Sequence, residues 1–249
     1  PAKKKPLVIN VTDVAFGGEG IARQDGKVIF VEHAVPGETV EAELLQDKKR
    51  FARARTLQTL ASAPDAVDSF CPVFGSCGGC DWQHVPYLKQ LEWKAGFIKS
   101  ALFKNARYEH PEPIQVLPSK HIHNYRNRIK LKASLTPKQK IEFGFFAKSS
   151  HSPIFIDQCP IADKDINAFL AGLKAYTFVQ AWTWQGDVEV QALSDGRRLI
   201  HFMPDFPKEA LAKLRQDFPS DLFEAQGCVS FEDHEGLHYA TQAGQFQQV

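Results

Sequence analysis

KVIFV, residues 27–31, is the clearest β-strand in this sequence, because four of its five residues are β-branched or aromatic. The turn Pro36-Gly37-Glu38 leads into a second run, Val40-Glu41-Ala42-Glu43-Leu44, in which apolar and acidic residues alternate. Further turn signals at residues 17–20 and 25–26 place a turn about every ten residues in this part of the chain. The pattern predicts a small five-stranded β-barrel within the first 60 residues.

The rest of the chain predicts a mixture of helices and strands. Its 249 residues are 43% hydrophobic, which is enough for two or three packed units. Small and polar residues at 61–69 indicate the first domain boundary. The spacing of apolar residues beyond it predicts helices over 87–103, 163–173 and 207–218, and alternation predicts strands over 125–156 and 187–203. The fold class is therefore predicted to be α+β.

The overall charge excludes few classes of protein. Thirty Lys and Arg residues against 29 Asp and Glu residues leave a net charge of +1, so a nucleic-acid site would have to come from local patches. No apolar stretch approaches the roughly 20 residues that a membrane-spanning helix needs, and no signal peptide is evident. We expect a cytoplasmic monomer without a membrane partner.

Four cysteines form the strongest chemical signal. Cys71, Cys77 and Cys80 lie within ten residues, and Gly78-Gly79 lets the backbone curl so that the three sulfurs can face one point. Cys159, which precedes a proline, is the natural fourth ligand. Four thiolates suit an iron–sulfur cluster or tetrahedral zinc, and the three-plus-one layout favours the cluster. Unligated core cysteines are the third interpretation.

Two further features concern catalysis and the extent of the chain. Cys228 has no partner base nearby in the sequence, so a small buried hydrophobic residue is a better interpretation than a nucleophile. No glycine-rich turn joins a strand to a helix in the manner of a nucleotide-binding fold. The sequence stops at Val249 without a helix cap, and we expect a piece of a longer protein.

Two basic segments are candidate RNA-binding sites. Arg53 and Arg55 alternate with alanines on one face of a strand, which suits phosphate binding at a barrel edge or, equally, a charged strand that blunts that edge. A second segment, His121 to Lys130, places Tyr125 among cations, so that base stacking and phosphate contacts could combine. Its cations include Arg126 and Arg128.

At this point several motifs together resemble one family. Residues 13–22 resemble the opening of a TRAM domain. The stretch from Cys71 through Cys77-Gly78-Gly79-Cys80 to His84 resembles an iron–sulfur cluster loop. Tyr125-Arg126-Asn127-Arg128 resembles a strand near bound RNA, and Phe246-Gln247-Gln248-Val249 resembles a motif that opens the catalytic domain. The chain thus resembles the TRAM-containing, iron–sulfur RNA (uracil-C5-)methyltransferases of the RumA/RlmD type, which act on 23S ribosomal RNA.

The resemblance implies a domain plan. An OB-like TRAM β-barrel that binds RNA would be followed by an iron–sulfur α+β RNA-binding domain, with a Rossmann-type methyltransferase domain expected downstream but absent from this chain. The implied boundaries are 1–64 for the barrel, 65–84 and 116–245 for the central domain, 85–115 for a helical segment that packs on the catalytic domain, and 246–249 for the start of that domain.

The resemblance also implies ligands and roles. Cys71, Cys77, Cys80 and Cys159 would hold a structural 4Fe-4S cluster, Phe246 would stack near the flipped uracil, and Gln248 would contact S-adenosylmethionine. The family's catalytic cysteine and glutamate base lie in the C-terminal domain, so no catalytic residue is expected here and these 249 residues alone are expected to be inactive.

Two alternatives stay open. The first is a non-enzymatic RNA-binding module held together by a four-cysteine zinc site. The second is a radical-S-adenosylmethionine enzyme, although such enzymes use a Cys-x3-Cys-x2-Cys spacing and leave one iron open.

Overall fold

The computed structural model describes residues 6–148, 150–223, 229–232 and 238–241. The packing divides the chain into unit 1, Pro1–Gly75 with Cys80–Lys120, and unit 2, Ser76–Gly79 with His121–Val249. The elements of unit 1 are β1 (Leu7–Asn10), β2 (Asp13–Val14), β3 (Gly20–Gln24), β4 (Lys27–Glu32), β5 (Thr39–Asp47), β6 (Phe51–Ala61) and α1 (Tyr87–Ala106). Those of unit 2 are β7 (Arg128–Leu135), β8 (Ile141–Phe146), β9 (Pro153–Phe155), α2 (Lys164–Ala175), β10 (Gln185–Ala192), β11 (Arg198–Met203), α3 (Lys208–Asp217), β12 (Asp221–Phe223), β13 (Val229–Glu232) and β14 (His238–Thr241).

The six strands of unit 1 form a sheet that closes on itself. Its order is β1-β5-β6-β4-β3-β2, antiparallel except for the parallel pair β4 and β6. The two end strands, β1 and β2, are consecutive pieces of one bent segment: the Val11 N–H donates to the Glu38 carbonyl, whereas the next N–H, of Thr12, donates to the Ile21 carbonyl. The bend explains why the structure has six strands where the sequence predicts five.

Small side chains fill the interior of this barrel. Ala42 and Ala54 are fully buried, as are Val31 and Val40. A Cβ atom on Gly20 would lie 2.7 Å from both the Ala34 carbonyl oxygen and a Val11 methyl carbon, so the chain passes there only as glycine. A narrow closed sheet therefore favours alanine, valine and glycine, together with the isoleucines Ile9 and Ile29.

The helix predicted over 87–103 is confirmed as α1. It ends at Arg107, whose φ of 53° is left-handed, and none of its residues is fully buried. Within unit 1 it is attached through Trp93, whose ring lies 5.3 Å from that of Trp82, and the Trp82 indole N–H donates to the Gly18 carbonyl. Leu88 and Ile98 remain exposed, so much of the apolar surface of α1 is open.

Unit 2 is an open sheet packed against helices. Its order is β12-β11-β10-β7-β8-β9, with β11 and β12 parallel and the other pairs antiparallel. Helix α2 packs against β8 and β10. Large residues, among them Phe143, Phe169 and Phe202, fill the core. The helices predicted at 163–173 and 207–218 are confirmed as α2 and α3.

Among the helices of the described ranges, none combines the length and the apolar character that crossing a membrane would require.

Candidate nucleic-acid interface

The two arginines predicted on the barrel lie on β6, and carboxylates neutralise both. Strand alternation buries Ala52 and Ala54 and turns Arg53 and Arg55 outward. Arg53 forms an ion pair with Glu19, and its guanidinium lies 5.4 Å from the centre of the Phe30 ring. Arg55 forms an ion pair with its cross-strand neighbour Glu43. Strand β6 lies between β4 and β5, so these arginines do not sit at a sheet edge and do not blunt one.

Three cations immediately before β6 have a different environment. Lys48, Lys49 and Arg50 form the tip of the β5–β6 hairpin, and all three are exposed. In the part of the chain that the structure describes, no carboxylate pairs with any of them. Sequence analysis selected the alternating arginines and passed over this tip, although three consecutive cations in a turn were the available signal.

The second basic segment presents Tyr125 and Arg126 on an exposed loop of unit 2. The Tyr125 residue is 55% exposed, and Arg126 is exposed as well. Backbone hydrogen bonds fix the loop: the Arg126 N–H donates to the Ile161 carbonyl, and the Asp163 N–H donates to the Arg126 carbonyl, each at 2.8 Å. Within the described residues, the Arg126 guanidinium has no carboxylate partner. A fixed backbone thus carries an exposed tyrosine and, as the next residue, a cation without a carboxylate partner in the described ranges.

Arg128, two residues further on, is part of the sheet. Its guanidinium lies 2.8 Å from a Glu189 carboxylate oxygen, and both side chains are largely buried. On the same face, Lys130 and Lys132 pair with Asp187. Partial burial alone would raise the pKa of Asp187, but hydrogen bonds and charges from the two lysines outweigh it and lower that pKa. These cations balance the acidic residues of β10.

The four candidate ligand cysteines are half-buried and lie outside the regular elements. Cys71 and Cys80 belong to unit 1, and Cys77 and Cys159 to unit 2. Among the residues that the structure describes, no three His, Cys, Asp or Glu side chains are grouped so as to hold a metal ion. The donor set itself, four thiols on loops, suits a cluster or zinc by its chemistry.

Side-chain amides hold the backbone at two of these cysteines. The Cys71 N–H donates to Gln83 Oε1 at 3.2 Å, and the Cys159 N–H donates to Asn167 Oδ1 at 2.9 Å. Asn167 Nδ2 also donates to the Cys159 carbonyl. Gln83 and Asn167 were not singled out by sequence analysis, because a clamp of this kind has no sequence signature.

Three residues singled out by sequence analysis lie outside the described residues. They are Cys228, the predicted uracil-stacking residue Phe246 and the predicted S-adenosylmethionine contact Gln248. Their assignments stay predictions, as does the expected inactivity of these 249 residues.

Comparison with known proteins bears directly on the predicted resemblance. Residues 7–57 match the family model described as the TRAM domain. Over 199 residues the chain is 34% identical to the 23S rRNA (uracil(1939)-C(5))-methyltransferase RlmD of Erwinia tasmaniensis, covering 79% of this chain and 45% of that protein. The resemblance to RNA methyltransferases is confirmed. An uncharacterized RNA methyltransferase of Nitratidesulfovibrio vulgaris is also 34% identical, over 153 residues that make up 61% of this chain and 33% of the relative. The chain therefore spans less than half the length of these methyltransferases.

A solved methyltransferase corrects the predicted fold class. The tRNA (uracil-54, C5)-methyltransferase of Pyrococcus abyssi, solved with S-adenosyl-L-homocysteine, aligns with 97% of this chain and 61% of its own at a TM-score of 0.58 and 18% identity. The prediction that the methyltransferase fold is absent from this chain is wrong, because nearly the whole chain shares the fold of a methyltransferase chain. Sequence analysis based that absence on the missing glycine-rich strand–turn–helix pattern and on the domain plan that the resemblance implied, and neither of these detects similarity of fold.

Proposed function

We propose that this chain binds RNA as part of an S-adenosylmethionine-dependent RNA (uracil-C5-)methyltransferase that acts on 23S ribosomal RNA. The relatives named RNA methyltransferase support the reaction class. One structural observation carries the RNA-binding part: in a chain of net charge +1, the exposed Arg126 lacks a carboxylate partner within the described residues and directly follows the exposed Tyr125 in the chain.

The proposed RNA surface of unit 2 uses stacking and charge together. A base that leaves its stack can lie on the Tyr125 ring, and such stacking is worth about 1–3 kcal/mol per base. The neighbouring Arg126 guanidinium would bind a phosphate of the same strand. Because uracil C5 is reached only after the base leaves its stack, a single-stranded contact of this kind suits the reaction.

In unit 1, we propose the hairpin tip Lys48-Lys49-Arg50 as the main phosphate contact of the 1–64 barrel. Arg53 and Arg55, which the alternating basic strand predicted, would contribute less, since a phosphate would have to compete with Glu19 and Glu43 for their guanidinium groups. Arg128 would likewise act mainly within the sheet, through Glu189.

We further propose that Cys71, Cys77, Cys80 and Cys159 hold a 4Fe-4S cluster. Support comes from the all-thiol donor set and the three-plus-one spacing. Fully ligated by sulfur, such a cluster would be structural and would offer no open site to a substrate. The resemblance extends this proposal to Phe246 as a uracil-stacking residue and Gln248 as an S-adenosylmethionine contact.

The deciding experiment measures RNA binding and methyl transfer by the intact protein. The probes are S-adenosylmethionine with a radiolabelled methyl group, a uridine-containing single-stranded RNA, and the same RNA with 5-methyluridine at each uridine. We expect label in the first RNA and none in the second. Label in both would contradict transfer to C5, and binding without transfer would favour the RNA-binding module.

Matched variants test the surface itself. Arg126→Gln should weaken RNA binding and reduce the slope of log affinity against log salt by about 0.7, the value for one phosphate of a single strand. Lys164→Gln removes an equally exposed cation from α2 of the same unit and should change neither. Equal effects of the two variants would show that only general charge matters.

Metal content tests the cysteine proposal independently of RNA. Protein purified without oxygen should contain about four iron and four sulfide per chain. A single zinc per chain would replace the cluster with a zinc site, and the absence of both metals would leave the cysteines unligated.

A further inference from the structure

The loop that presents Tyr125 and Arg126 begins with a strained residue that is held in place. Asn124 has a φ of 54°, in the left-handed region that asparagine tolerates better than most side chains. Its N–H donates to the Pro160 carbonyl at 3.0 Å, and its side-chain Nδ2 donates to the Ala162 carbonyl at 2.8 Å. The conformation just before Tyr125 therefore depends on the turn that follows Cys159.

A second asparagine holds that turn from the opposite side. Asn167 lies in the first turns of α2, whose residues Ile166 and Leu170 are completely buried in unit 2. Its Oδ1 accepts from the Cys159 N–H, and its Nδ2 donates to the carbonyls of Cys159 and Ala162 at 3.0 and 3.1 Å. A side chain on a well-packed helix thus fixes both ends of the turn.

The two asparagines meet at one atom. The Ala162 carbonyl oxygen accepts from Asn124 Nδ2 and from Asn167 Nδ2. Beside this junction, the backbone of Arg126 pairs with Ile161 and Asp163. A continuous set of hydrogen bonds therefore runs from α2 to the exposed loop.

We propose that Asn167 and Asn124 are positioning residues for the RNA contact at Tyr125 and Arg126. Neither needs to touch the RNA. Together they hold the loop in one conformation, so that the ring and the guanidinium meet the strand without a cost in loop ordering. This inference rests on the proposed function, because it requires that the loop bind RNA.

A double-mutant cycle on RNA affinity tests the proposal. With a fluorescein-labelled, uridine-rich single-stranded RNA, Arg126→Ala should weaken binding about tenfold and Asn167→Ala about fivefold. If Asn167 acts by placing Tyr125 and Arg126 together, the loss in the double variant should be clearly smaller than the about fiftyfold loss that two independent effects would give. Additive losses with all variants folded would overturn the proposal.

A second variant separates the positioning role from a simple loss of folded protein. Asn124→Gly keeps the left-handed backbone accessible and removes only the side-chain bond to Ala162. It should reproduce the coupling to Arg126, and a cooperative unfolding transition in urea should show that the variant is folded. Uncoupled behaviour of a folded Asn124→Gly protein would also overturn the proposal.

The outcomes separate this inference from the function on which it rests. If the unchanged protein does not bind the RNA, the proposed function fails, and the positioning role fails with it. If the unchanged protein and Arg126→Ala behave as expected but Asn167→Ala and Asn124→Gly bind normally, only the positioning role fails.

Discussion

The two six-stranded sheets of this protein enclose their hydrophobic cores in different ways. In unit 1 the bend at Val11 and Thr12 closes the sheet, so the interior is narrow and holds alanine, valine and isoleucine but no buried aromatic residue among those described. In unit 2 the sheet stays open and helices cover it. Of the twelve largest completely buried side chains among the described residues, only Val31 and Val40 lie in unit 1. Closure removes edges and limits core volume, whereas an open sheet must bury large side chains under helices.

In both sheets, several strand cations pair with carboxylates. Arg53 and Arg55 on the barrel are neutralised by carboxylates, and so are Arg128, Lys130 and Lys132 on the open sheet. We assign RNA binding to cations in loops, namely the hairpin tip and Arg126. Within the described ranges, none of them has a carboxylate partner. These five strand cations balance carboxylates of their sheets, whereas the hairpin tip and Arg126 remain available to a polyanion.

The largest expected effect comes from the open sheet's aromatic core. Phe202→Ala should lower the free energy of unfolding by about 3–5 kcal/mol, because the ring is buried and stacks 4.4 Å from Phe206. Urea unfolding measures the change. Val179→Ala, at a fully exposed position of the same unit, should stay within about 0.5 kcal/mol. A similar small loss for both would refute the assigned core.

A smaller effect is expected where the barrel closes. Gly20→Ala adds a methyl group against the Ala34 carbonyl and Val11, and should cost about 1–3 kcal/mol of unfolding free energy. At Gly17, where a Cβ atom would meet nothing within 4 Å, the same substitution should be close to neutral. If the Gly20→Ala protein were as stable as the Gly17→Ala protein, the close approach of Gly20 to Ala34 and Val11 would be refuted.

The ion pairs of the open sheet predict a modest dependence of stability on pH. The pKa of Asp187 is lowered in the folded protein, so the unfolded chain binds more protons near pH 4, and folding stability falls as the pH drops through the folded pKa. We expect Asp187→Asn to reduce stability at pH 7 by up to about 1 kcal/mol and to weaken this acid dependence. Urea unfolding at pH 3 to 7 measures both proteins. An unchanged acid dependence in the variant would exclude Asp187 as its source.

The smallest effect on stability is expected at the hairpin tip. Replacing Lys48, Lys49 and Arg50 together with glutamine should change the unfolding free energy by less than about 0.5 kcal/mol, since none has a carboxylate partner within the described residues. The salt slope of RNA binding should nevertheless fall by about 2. The double variant Arg53→Gln and Arg55→Gln is the comparison. If the salt slope fell more in the Arg53 and Arg55 double variant than in the hairpin-tip variant, the main phosphate contact would be β6 and not the tip.

Much of the local structure was predictable from the residues in sequence. The strand at 27–31, the helices near 87–103, 163–173 and 207–218, and the resemblance to RNA methyltransferases all came from local patterns and motifs. Each depends on side-chain periodicity or on turn residues, which act over a few positions. The shared methyltransferase fold was not predictable from the search for one glycine-rich turn, since a fold can be shared without that motif.

The sequence by itself determined where strands and helices form, and which residue types can bind metal or RNA. Only the tertiary structure decided which of those residues are available. Arg53 is neutralised by Glu19, a residue 34 positions earlier, and the turn after Cys159 is clamped by Asn124 and Asn167. Local propensity is encoded within a few residues, whereas ion pairing and clamping depend on strand register and helix packing that only the folded chain establishes.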